Sequence, residues 1–191
     1  MGDKGKGALV RDTTAKAPPA YSLTARVLHW VTAALVLTMI PLGIVIANKW
    51  GGPIQEWLYN LHRSVGALLI PIVIGRLVYR LIHPPSPLTP DISPLQQTAA
   101  HAAHWTLYAL LLVQPFVGWI ATSAYRAPMP MFGLFNLPPI WPVNRALSEQ
   151  LFPMHRALGV TIAIVAIGHI GAALYHHYVR KDHVLMRMIT G

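Results

Sequence analysis

The chain has 191 residues, of which 54% are hydrophobic and only 11% charged, with a mean hydropathy of +0.46, a balance that excludes an ordinary soluble domain and places it in the membrane class as one compact bundle. It has no cysteine, which excludes disulfides, iron–sulfur clusters, zinc knuckles and thiolate chemistry and leaves histidine, methionine or carboxylate to hold any metal. The net charge of +9 is spread around apolar segments without a Lys/Arg block interleaved with aromatics, which excludes a nucleic-acid surface and reads as membrane-flank charge.

Residues 1–22 are polar and basic, with Lys4, Lys6, Arg11, Lys16 and the Pro18–Pro19 pair, and are expected to form a mobile tail. No cleavable leader is expected, because the apolar stretch that follows is too long and ends without a small-residue cleavage site. The bundle itself is expected over 23–180, with four spans at about 27–48, 59–82, 98–124 and 154–179. Each is long enough to cross roughly 30 Å of hydrocarbon. His29 opens the first span, and His62 opens the second, which carries Arg76 and Arg80 near its end. The proline-rich run 83–94 can only be a loop. The third span begins with His101 and His104. The long connection 125–152 carries Met129, Met131, Phe132, Leu134, Phe135 and Trp141 and is expected to fold as a cap at the membrane interface. The fourth span carries His155 and His169, and 181–191 reads as a basic tail. Pro41, Pro71 and Pro115 mark kinks, which membrane helices tolerate because neighbours re-satisfy the freed carbonyls.

Ten of the fifteen Lys and Arg residues lie in the N-terminal tail, the second-to-third connection with its helix end, and the C-terminal tail; five, Lys49, Arg63, Arg126, Arg145 and Arg156, lie at the opposite ends. By the positive-inside rule both termini are cytoplasmic. That direction gives each histidine a depth. His155 and His169, fourteen positions apart, share a helix face about 21 Å apart along the axis. His62 and His155 then lie at the outer level, His29 and His169 at the inner one. Ionisable groups inside membrane helices are costly and usually meet a partner on another helix. The competing explanation is histidines merely hydrogen-bonded within a core.

Two neutral imidazoles facing each other across a four-helix bundle suit a planar metal macrocycle, each supplying one axial nitrogen. One turn after each of the four stands a small residue, Ala33, Gly66, Gly159 or Ala173, where a flat ring lying on the helix needs room, whereas His101, His104, His176 and His177 are followed by Trp105, Tyr108, Arg180 and Lys181. Arg76, fourteen residues after His62, is placed to pair with a haem propionate at the inner level, with Arg63 and Arg156 doing the same outside. The alternative is that these arginines snorkel to lipid headgroups. His104 is a rival to His29 as inner ligand.

The fragments VLHW (27–30), NLHRSVG (60–66), AHAAH (100–104), PMHRALG (153–159), GHIGAALYHHY (168–178) and KDHVLMRM (181–188) together resemble the bacterial cytochrome b561 family over nearly everything from Tyr21 onward. The resemblance implies an all-α, integral-membrane four-helix bundle with two haem b groups stacked across the bacterial inner membrane. It also implies ligand pairs His29/His169 on the cytoplasmic side and His62/His155 on the periplasmic side, with none from the third helix. Family members exchange electrons with ubiquinone near the cytoplasmic haem, and some oxidise superoxide at the periplasmic side. An oxidoreductase of the superoxide:ubiquinone type is therefore implied, with Arg63 and Arg156 at the outer site. His176, seven positions after His169, is placed to donate to a quinone carbonyl, or else acts as an interfacial anchor with His177 and Arg180. Two other classes stay open: a cytochrome b subunit that docks a dehydrogenase or hydrogenase through the 125–152 connection, and a transporter that binds a bare ion with its histidines.

Overall fold

The computed structural model describes residues 20–85 and 92–190. The expected tail before Ala20 and the middle of the proline-rich loop lie outside these residues. Four long helices form a bundle: α1 (Leu23–Ala47), α2 (Gln55–Ile82), α3 (Pro94–Tyr125) and α4 (Arg145–Tyr175). A π-helical turn (His176–Arg180) prolongs α4, and a short α5 (Met186–Ile189) follows. Each of the four is long and apolar enough to cross a membrane.

Side-chain caps set several of the starts. Ser22 accepts from the Ala25 amide at the start of α1. Ser93 and Gln96 form a reciprocal capping box around Pro94 at the start of α3, and Asn144 accepts from Leu147 N at the start of α4. These contacts satisfy amides that have no carbonyl one turn behind them. α4 begins earlier than the expected 154, so Pro153 lies inside it. The apolar pattern misses this first stretch because Arg145 and Glu149 interrupt it.

Outward faces of the helices are apolar and exposed, as at Leu81, Ile164 and Ile167, which fits a solvent of lipid tails. The interior is thin. Its middle is an apolar plug of Val36, Leu69, Val73, Tyr108, Leu111 and Ile162, drawn from all four helices.

Both ends of the bundle are closed by short segments. Between α3 and α4 a two-stranded hairpin, β1 (Pro130–Met131) and β2 (Phe135–Asn136), pairs antiparallel in the register Pro130 to Asn136 and Met131 to Phe135. Its turn places Phe132 and Gly133 at positive φ of 52° and 78°, the left-handed pair that a tight hairpin turn of this kind requires. Phe132 is held there from outside. Buried Ser64, two residues after His62, accepts from Phe132 N at 2.9 Å and donates to Pro130 O at 2.7 Å. The expected cap is thus a hairpin pinned to α2.

At the other end, the segment expected as a basic tail folds back. Tyr21 N donates to Arg187 O at 3.2 Å, and Trp30 Nε1 donates to Met188 O at 2.9 Å. The Arg187 guanidinium lies over the Tyr21 ring, and the residue as a whole is only 5% exposed. Its hydrocarbon stem and aromatic partner make this burial possible, which the sequence pattern of alternating charge hides.

Ser64→Ala is expected to lower unfolding stability in mild detergent by about 1–3 kcal/mol, because it leaves the Phe132 amide without its partner. Thermal unfolding followed by circular dichroism, with limited proteolysis at 130–136, measures both the loss and its location.

Candidate functional site

α4 turns one stripe toward the other helices. His155, Leu158, Gly159, Ile162, Ala166, His169, Ala173 and His176 are buried or half-buried, while most residues between them, such as Val160, Ile164, Ile167 and Ile170, are exposed. This is the spacing of one helical face, and it carries both histidines inward at two levels. At the hairpin end His155 faces His62 of α2, with ring centroids 6.0 Å apart and planes at 77°. At the end near the termini His169 faces His29 of α1, at 6.3 Å and 67°. The apolar plug lies between the two pairs.

Two imidazoles bound on opposite sides of one metal ion by bonds of about 2 Å have centroids roughly 6 Å apart. Both pairs have that spacing. Each pair supplies only two nitrogens, and among the described residues no group of three or more histidines or carboxylates is arranged to hold a metal ion. A bare ion needs about four protein or solvent donors, whereas a macrocycle supplies four of its own. The donor set therefore fits a haem gripped from two sides.

The ring nitrogens are treated differently at each position. His155 Nδ1 is 3.1 Å from Gln114 O, which only accepts, so Nδ1 carries the proton and Nε2 is free to ligate. His62 Nδ1 is buried without a partner. His29 Nδ1 accepts from Arg76 Nη2 at 2.7 Å, since a guanidinium has no acceptor. Arg76 and Arg80 both approach the Tyr108 ring, at 5.2 and 5.8 Å from its centroid. Arg76 is thus at the level of the His29/His169 pair, in contact with one of its members.

His104 joins that end as a third imidazole. Its ring centroid is 5.3 Å from His169, closer than that of His29, and its Nδ1 is buried without a partner. The structure thus brings both expected rivals to His169.

Other sequence-predicted residues are placed as follows. Arg63 donates to Asn60 Oδ1 at 3.2 Å, reaches Glu56 at 3.9 Å and lies over Tyr59. Arg156 is exposed beside His155. A Cβ at Gly66 would stand 3.5 Å from Met39 Cε, and one at Gly159 would stand 3.3 Å from Gln114 Nε2; both small positions admit a neighbouring side chain. His176 Nδ1 meets Asp182 Oδ2 at 2.5 Å, Arg180 Nε lies 3.5 Å from the same oxygen, and Asp182 Oδ1 accepts from Val184 N. Asp182, Gln114 and Ser64 were not singled out in the sequence. Only Asp182 left a signal, its place in the KDH triplet after the fourth span.

The family model described as prokaryotic cytochrome b561 matches residues 20–191. Among curated proteins, the chain is 30% identical over 177 residues to cytochrome b561 homolog 2 of Escherichia coli (strain K12), covering 90% of this chain and 92% of that one. It is 30% identical over 169 residues to the probable superoxide oxidase CybB of Yersinia pestis, covering 88% and 95%, and 27% identical over 172 residues to cytochrome b561 homolog 1 of E. coli (strain K12), covering 88% and 96%.

Proposed function

Since the chain belongs to the prokaryotic cytochrome b561 family and is a multi-pass bacterial membrane cytochrome of the b type that carries electrons, we propose that it holds two haems, one between His29 and His169 and one between His62 and His155. The observation that carries this reading is the pair of centroid separations, 6.3 and 6.0 Å, at two levels of one bundle. Haem gripped by two imidazoles has no open coordination position and supplies one-electron transfer.

With the termini in the cytoplasm, as the Lys/Arg distribution favours, the His62/His155 end is periplasmic. Positive charge there, Lys49, Arg63, Arg126, Arg145 and Arg156 against Glu56 and Glu149, draws a small anion toward the outer pair. Superoxide is that anion: two superoxide ions each give up one electron and leave as oxygen. Ubiquinone in the inner leaflet takes the two electrons with two protons from the cytoplasm and becomes ubiquinol. His176, aimed by Asp182, is the candidate donor to a quinone carbonyl. The Arg76 guanidinium, 2.7 Å from His29 Nδ1, is close enough to that pair to bind a haem carboxylate; ligation by His29 would need this contact released, so that Nδ1 carries the proton and Nε2 is free. The similarity to a probable superoxide oxidase supports this direction of flow.

A second reading keeps the haems and changes the donor. Exposed Phe132, Leu134, Phe135, Trp141 and Val143 around the hairpin would there dock a redox partner protein.

Pyridine haemochromogen assay is expected to give two haems per chain. His62→Ala and His155→Ala should each remove the same haem, and His29→Ala and His169→Ala the other. Loss of different haems within either pair, or loss on His104→Ala in place of His29→Ala, sinks the assignment.

In liposomes carrying ubiquinone, a superoxide source should yield one ubiquinol per two superoxide ions. Arg63→Gln with Arg156→Gln should slow this about tenfold at low salt and flatten its dependence on ionic strength. Absence of fast haem reduction by superoxide would instead favour the partner-docking reading.

A further inference from the structure

α3 contributes no histidine to either facing pair, yet it touches His155 more intimately than any other helix does. Gln114 and Gly118 lie one turn apart on its face toward α4. Two hydrogen bonds run in opposite directions across this interface. His155 Nδ1 donates to Gln114 O at 3.1 Å, and Gln114 Nε2 donates to His155 O at 2.9 Å. Each passes through a gap left by a glycine. A Cβ at Gly118 would stand 2.8 Å from His155 Cε1 and 3.1 Å from its Nδ1, and a Cβ at Gly159 would stand 3.3 Å from Gln114 Nε2. The first spacing is too short for any side chain, so only glycine at 118 admits the imidazole.

The carboxamide is committed to this contact at a cost. Gln114 Oε1 is buried with no hydrogen-bond partner, and a buried acceptor left unmatched is unfavourable. Packing alone would favour an apolar residue there. Among the four facing histidines, only His155 has its proton fixed on Nδ1 by an atom that can do nothing but accept; His62 Nδ1 has no partner and His29 Nδ1 accepts from Arg76.

We propose that the main-chain carbonyl of Gln114, reached through the gap at Gly118, locks the rotation and tautomer of His155, while the Gln114 carboxamide, bonded to the His155 main-chain oxygen beside Gly159, holds the two helices in the register this lock needs, so that α3 tunes the haem at the hairpin end without ligating it. The inference rests on the two-haem reading above. Gly159, expected from the sequence to leave room for the macrocycle, also has Gln114 Nε2 beside it.

The test uses the full-length protein in detergent, with haem-to-protein ratio, electron paramagnetic resonance of each ferric low-spin haem, and separate redox titration of the two. Gly118→Ala is expected to reduce two haems per chain to one, the missing signal being the one absent in His155→Ala. Gln114→Leu is expected to keep both haems while shifting the g-values and midpoint potential of the hairpin-end haem alone. Gly171→Ala, where an added Cβ meets nothing within 4 Å, should leave both signals in place. Two unchanged haems in Gly118→Ala overturn the proposal. Should that variant not fold, unchanged signals in Gln114→Leu, which keeps the carbonyl on His155 Nδ1 but loses the bond that holds it in register, overturn it by themselves. Retention of two haems by His155→Ala would show that the two-haem assignment itself is at fault, an outcome separable from failure of the clamp.

Discussion

An imidazole in the apolar interior of a membrane helix has nowhere to find water, and each must be answered by a group from another helix. That constraint arranges the bundle. α4 carries two such rings on one face, fourteen residues apart, so it must meet a partner at two levels. It finds His29 of α1 near the chain termini and His62 of α2 near the hairpin. α3 has no ring in either pair, yet it supplies His155 with an acceptor and brings His104 to His169. The helices are therefore placed by polar obligations at two levels, and apolar packing fills what remains between.

Closing the ends obeys the same logic. Irregular backbone at membrane depth survives only where its polar atoms are matched. At one end a single hydroxyl, Ser64, serves the first strand and the turn of the hairpin. At the other, Asp182 gathers His176, Arg180 and the Val184 amide, and the returning segment gives its carbonyls to Tyr21 and Trp30. Ser64 stands two residues from His62 and Trp30 next to His29, so each closure is tied to a helix beside one of its histidines.

What the sequence made legible was whatever repeats along one helix. The spans show as apolar length, and the fourteen-residue interval between His155 and His169 shows as a shared face. His62 and His29 follow from the alternation of direction. The contacts that aim and enclose these rings were not legible, because each joins segments far apart in the chain. Ser64 meets Pro130 sixty-six residues away, Gln114 meets His155 at forty-one, and Trp30 meets Met188 at one hundred and fifty-eight. Arg187 looks like surface charge until its aromatic cover is seen. That Gln114 Nε2 packs beside Gly159 likewise cannot be seen from helix spacing alone.

The stretch between the two histidine levels has its own implication. Apart from the Tyr108 phenol, the plug is aliphatic, and Val36, Leu69, Val73, Leu111 and Ile162 offer no carboxylate or imidazole on which a hydrogen ion can rest. On the proposed reading, electrons traverse this insulating layer while hydrogen ions are taken up at one face only. Each passage then displaces net charge through the lipid, at about 2.3 kcal/mol per charge for every 100 mV. The cell's own voltage would thus help or hinder turnover according to its sign.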